Sequence, residues 1–129
     1  MEATTSVLVA CADEGLRGQV SLALDGERFE VDTAGDTDAA VHALAARLPS
    51  VLICDLHLGG AGSLALARTI RRQPETRTIA VLLVVPPGEP VPDEVPGVDG
   101  VLVAPFTALA LLRKVDALLA GEQPSAPQS

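Results

Sequence analysis

The sequence predicts a doubly wound α/β domain on a parallel five-stranded sheet, and three observations carry that expectation. Short, continuous apolar runs alternate with segments of helical period along the whole chain. The runs are rich in Val, Leu and Ile and do not alternate with polar residues, as strands covered on both faces should read. Finally, 129 residues at 48% apolar content suffice for one domain with a substantial core. Strands alternating with helices build a parallel sheet with helices on both sides.

The elements follow in order. Ser6–Cys11 (SVLVAC) is the first strand. Leu16, Val20 and Leu24 then recur at helical spacing, with Ala23 alongside; Gly15 and Gly18 weaken that helix, so packing must hold it. Arg28–Thr33 alternates like a more exposed strand. Asp36 or Thr37 caps a helix whose apolar face is Ala40, Val41, Leu44, Ala45 and Leu48, closed by Pro49. Val51–Cys54 is the third strand and ends at Asp55. A glycine-rich loop, Gly59–Ser63, leads into a helix through Leu66, Ala67 and Ile70 that stops at Gln73-Pro74. Ile79–Val85 is the most hydrophobic strand and Gly100–Val103 the fifth. Thr107 caps a last helix with the stripe Leu111, Leu112, Val115, Leu118 and Leu119.

One segment breaks the rhythm. Between Val85 and Gly97 stand Pro86, Pro87, Pro90, Pro92 and Pro96. A proline inside a helix costs about 3 kcal/mol, so a proline-rich loop is expected where a fourth helix would fall. Residues 1–120 read as the folded domain. The polar, proline-bearing 121–129 reads as a disordered tail or the start of a linker.

Composition narrows the function. Only 2% of residues are aromatic, with no Trp or Tyr, which leaves no stacking platform for single-stranded nucleic acid. The formal charge is −8 and Lys114 is the only lysine, so direct nucleic-acid binding is not expected. Arg68, Arg71, Arg72 and Arg77 read as the solvated face and C-terminal end of a helix, where cations suit the dipole. Cys11 and Cys54 lie in apolar runs and read as small hydrophobes in a reducing cytoplasm, Cys11 as an inert, semi-buried thiol. No run reaches the ~20 residues of a membrane helix.

In doubly wound sheets, ligands sit at the carboxyl ends of the strands. That rule singles out Cys11–Glu14, Asp55–Leu58, Val85–Gly88 and Ala104–Phe106. His57 has no second His or Cys at metal-ligand spacing and reads as an exposed loop histidine. The Gly59–Ser63 loop could cradle a phosphate at a helix N-terminus, but matches neither dinucleotide nor P-loop spacing.

Three stretches carry a resemblance. Pro49–Gly60 (PSVLICDLHLGG) resembles the "PDLVLLDLMMPG"-like phosphoacceptor strand and loop of bacterial response-regulator receiver domains. Val7–Ala10 followed by Leu16-Arg17 is similar to that family's first strand and first helix. Val103-Ala104-Pro105-Phe106 is similar to the "VKPF" before its last helix. The similarity runs from about Ser6 to about Leu119. It implies a three-layer, flavodoxin-like sheet of order 2-1-3-4-5, a role in two-component signalling and a phosphoacceptor position at Asp55.

The rest of the family's site is carried over in altered form. The acidic pair that would hold magnesium falls on Cys11 and Ala12, with Asp13 next. A slipped alignment would instead bring Asp13 and Glu14 inward. The hydroxyl, aromatic and lysine positions fall on Val85, Val101 and Ala104. The resemblance therefore implies an atypical receiver, with no cofactor expected and magnesium only if an Asp13/Asp55 pocket works. It implies a protein partner or effector domain, a histidine kinase or a second copy as partners. The contact face would include Leu109, Leu112 and Arg113 on the last helix. Two alternatives stay open: a working phosphoacceptor at Asp55, and a small-molecule sensor using the vacated pocket.

Overall fold

Val51–Asp55 is buried along its whole length, and so is Ala80–Val85 beyond its first residue. Strands without an exposed side need a covering layer on each face. The computed structural model, which describes residues 5–24, 28–60, 62–91, 95 and 97–121, supplies both layers. In chain order the elements are β1 (Thr5–Ala10), α1 (Glu14–Leu24), β2 (Phe29–Ala34), α2 (Thr37–Ala46) and β3 (Val51–Asp55). They continue as α3 (Ser63–Arg72), β4 (Ala80–Val85), β5 (Gly100–Val103) and α4 (Ala108–Leu119).

All strand pairs are parallel, in the order β2-β1-β3-β4-β5. The side-chain period of two divides each central strand between two cores. Leu8, Leu52, Cys54, Leu83 and Val85 face α2 and α3, together with Leu66 and Ile70. Val7, Val9, Cys11, Ile53 and Val84 face α1 and α4, with Val20, Leu111 and Val115. The chain winds one way from β1 to β2 and the other way from β3 onward. The sheet's switch point therefore lies between β1 and β3, where a ligand crevice is expected.

Of the two cap candidates before α2, Asp36 is the cap and Thr37 the first helical residue, and Thr107 caps α4 as expected. Asp36 accepts from Ala39 N and Thr107 from Ala110 N, each satisfying a donor that the first helical turn leaves free. Strand boundaries differ from the sequence reading by single residues: β1 starts at Thr5 and ends at Ala10, β2 runs to Ala34, and β4 starts at Ala80. Among the described residues no helix joins β4 to β5. Val95 and Val98 of that connection pack against the core beneath α3. Gly97, at φ +86°, passes so close that a Cβ would lie 3.1 Å from the Ala67 carbonyl oxygen.

Three expectations need correction. The α2 stripe is only half used: Ala40 and Leu44 are buried, while Val41, Ala45 and Leu48 are exposed. The helix packs chiefly against β2, an edge strand, and β1, so the sheet offers less surface than the stripe presents. Arg71 is not solvated. It is half-buried, pairs with Asp99, and donates to the carbonyls of Arg77 (2.6 Å) and Ile79 (2.7 Å). Cys11 is fully buried rather than partly so, because α1 and α4 close over that face. The expected tail, 122–129, lies outside the described residues.

Candidate functional site at the carboxyl ends of β1, β3 and β4

Asp55 ends β3 with its side chain on the α1/α4 face of the sheet, in step with Val51 and Ile53. It is 3% exposed. Among the described residues its only side-chain hydrogen bond is to Oδ1, from His57 N at 3.2 Å, and no Lys or Arg pairs with it. Leu58 N returns to the Asp55 carbonyl, and Leu56 N bonds Val84 O across to β4. The backbone thus fixes the carboxylate at the strand end.

Cys11 lies one step beyond the Ala10–Cys54 pair of the β1–β3 ladder, beside Asp55. Burial pushes its thiol up to about 12; the Asp55 carboxylate adds to the rise and Arg17 opposes it. Arg17 donates to the Cys11 carbonyl at 2.8 Å. Cys54 is likewise pushed up to about 12, mainly by burial, and points into the opposite core. Both cysteines are free.

Asp13 precedes α1, and its Oδ1 accepts from Gly15 N (2.8 Å) and Leu16 N (3.4 Å), which caps the helix. Glu14 begins α1 and is exposed, outside the cleft lining. Asp13, Asp55, His57 and Gln19 supply the polar part of a cleft of about 730 Å³, a size that suits a small molecule. Its walls are mostly apolar: Ala12, Leu16, Pro86, Pro87, Ala104 and Pro105. At the rim, His57 Nε2 lies 3.4 Å from Glu89 Oε1.

The sequence-derived positions are thus partly gathered. Ala12, Asp13, Asp55 and Ala104 line one cleft. Val85 is buried in the core below it, and Val101 packs half-buried beside α3's core. Leu109 and Arg113 are exposed on α4, whereas Leu112 is half-buried against the α1/α4 core. Gln19 and Glu89 were missed as site residues. The strand-end rule pointed at Pro86 and Pro87, but nothing in the sequence pairs Glu89 with His57.

The glycine loop is held by Thr37 at the start of α2. The Thr37 hydroxyl donates to Gly59 O (2.6 Å) and accepts from Gly62 N (3.0 Å), and Thr37 N also bonds Gly59 O. At Gly60, φ +84°, a Cβ would lie 3.1 Å from Thr37 Cβ. The loop is therefore stapled to the start of α2. Thr37→Val keeps the shape and removes both hydroxyl bonds, so a loss of about 1–2 kcal/mol is expected by urea denaturation.

The structure thus sets a buried carboxylate at the switch point of a 2-1-3-4-5 sheet, and known proteins share this fold. A putative response regulator from Chloroflexus aurantiacus superposes with a TM-score of 0.83 at 26% identity, covering 92% of this chain and 99% of its own. The chemotaxis regulator CheY4 of Vibrio cholerae shares the fold at a TM-score of 0.80 and 22% identity, over 90% of this chain and 99% of its own. In sequence, the phosphate regulon transcriptional regulatory protein PhoB of Rhizobium meliloti is 34% identical over 115 residues, 87% of this chain and 51% of PhoB. The chain spans about half the length of the curated relatives it matches. No family profile matches it. The chain is a CheY-like response-regulator receiver domain, a module of two-component signalling.

Proposed function

We propose that this receiver works as a regulatory protein-interaction module without a conventional magnesium-dependent phospho-switch. The observation that carries the reading is the company Asp55 keeps. Phosphoryl transfer to a carboxylate gathers negative charge, which metal and cationic groups must offset. Here a neutral buried thiol stands beside Asp55, and the cleft lining adds Asp13, Gln19 and His57 to alanines and prolines but no Lys or Arg. Magnesium asks for about six oxygens in a near-octahedral array. The cleft lining offers two carboxylates, each with one oxygen already accepting backbone N–H bonds. Among the described residues no three His, Cys, Asp or Glu side chains gather. These residues do not fit a dedicated magnesium site.

The switch positions point the same way. Val85 is packed and carries no hydroxyl, and Val101 has no ring to rotate. Contact with an effector or kinase then falls to the surface, where Leu109 is 57% exposed on α4 and Val103 43% exposed on the edge strand β5. Among the described residues no helix is long and apolar enough to cross a membrane; we place the module in the cytoplasm, binding protein and catalysing nothing itself.

Incubation with a small phosphodonor and magnesium, read by intact mass, tests this. The expected result is no phosphate adduct. A stoichiometric adduct that disappears in Asp55→Asn would instead establish a working phosphoacceptor.

A further inference from the structure

We propose that the strand-end cleft binds small organic ammonium ions, meaning a protonated amine that carries an apolar body. Two independent features meet there. The first is Asp55, nine-tenths and more buried, with one 3.2 Å hydrogen bond and no cation beside it among the described residues. An ionised carboxylate has about four acceptor sites, and its burial without a partner is costly. A cation brought into the cleft offsets that cost. The second is the cleft itself, about 730 Å³ with mainly apolar walls.

Each candidate cation meets these features differently. A bare or hydrated divalent ion finds few oxygens on Pro86, Pro87, Pro105, Leu16 and Ala104. An alkylammonium has a head with up to three N–H donors and a body that gains from leaving water. Its head would sit between the Asp55 and Asp13 carboxylates, with the Gln19 amide as a third partner. At the mouth His57 Nε2 lies 3.4 Å from Glu89 Oε1, and no Lys or Arg is among the residues that line the cleft. Arg17 is turned to the Cys11 carbonyl and lines no part of the cleft. The site therefore selects on two axes, positive charge and apolar bulk.

Cyclohexylammonium chloride is a suitable probe, titrated at pH 7 and constant ionic strength and followed by amide NMR. Saturable shifts are expected at Asp13–Leu16, Asp55–His57 and Ala104. Cyclohexanol should bind at least ~10-fold more weakly, and Asp55→Asn should cost about tenfold or more in affinity. Ala104→Leu fills the cleft without touching Asp55 and should abolish binding in a chain whose remaining spectrum is unchanged. Absence of saturable shifts, equal binding of the neutral alcohol, or displacement of the amine by equimolar magnesium would each overturn the proposal. The titration contains no phosphodonor, so its outcome is independent of whether Asp55 accepts phosphate.

Discussion

Asp99→Ala is expected to destabilise the fold by about 2–3 kcal/mol, read as a lower urea midpoint at unchanged slope. Asp99 stands just before β5 and does two jobs with one oxygen. Its Oδ2 accepts from the backbone of Val81 at 2.8 Å and from the Arg71 guanidinium. Val81 is fully buried, so its N–H has no access to water once the acceptor is removed. Arg71 and Asp99 have side chains only 26% and 25% exposed, which lifts this pair above an ordinary surface ion pair. The guanidinium also holds two carbonyls of the α3–β4 turn, so it fastens that turn to the entry of β5. Asp99→Asn keeps an acceptor for Val81 and should lose less. Arg71→Met combined with Asp99→Ala should cost less than the sum of the single changes, because both remove the same contact. Additive losses would mean that the pair contributes nothing as a unit.

That clamp also marks the limit of what the sequence discloses. The five strands and their layers were legible because burial on both faces leaves continuous runs such as Val51–Cys54 and Ile79–Val85. The caps Asp36 and Thr107 were legible because capping needs a particular side chain at a particular offset. The cleft was legible through the strand-end rule, which named Ala12, Asp13, Asp55 and Ala104 before their grouping was seen. Side-chain bonds between distant residues leave no such trace. Arg71 and Asp99 are 28 positions apart, and Thr37 and Gly62 are 25 apart. Arg71 on a helix end looks like any solvated cation, and Thr37 like any first-turn threonine. The exposed half of the α2 stripe fails for a different reason. Periodicity reports which residues share a face, whereas the width of the sheet edge beneath decides how many are covered.

Raising the pH from 9 to 11 is expected to cost the fold roughly 2–3 kcal/mol through each buried thiol. Cys11 and Cys54 are both raised from 9.0 to about 12 in the folded chain, chiefly by burial. Below pH 9 each thiol is protonated whether folded or unfolded, and its contribution to stability is fully present. Between 9 and 12 the unfolded chain releases protons that the folded chain retains, so stability falls as pH rises; above 12 the loss levels off. An ionised Cys11 further disfavours ionisation of Cys54 in the fold, so the folded chain holds both protons through this window. With no Tyr and a single Lys, few other groups titrate in this window. Urea midpoints measured from pH 8 to 11 should therefore fall steeply for the native sequence. The Cys11→Ala/Cys54→Ala variant should start lower, from lost packing, and then change much less. Parallel curves would mean that the thiols ionise as freely inside the fold as outside it, and would remove the basis for treating Cys11 as a neutral neighbour of Asp55. At neutral pH that neighbour matters to the cleft. A thiolate beside Asp55 would add a further buried negative charge and a soft metal ligand, whereas a protonated thiol leaves the Asp55 and Asp13 carboxylates to meet an incoming cation.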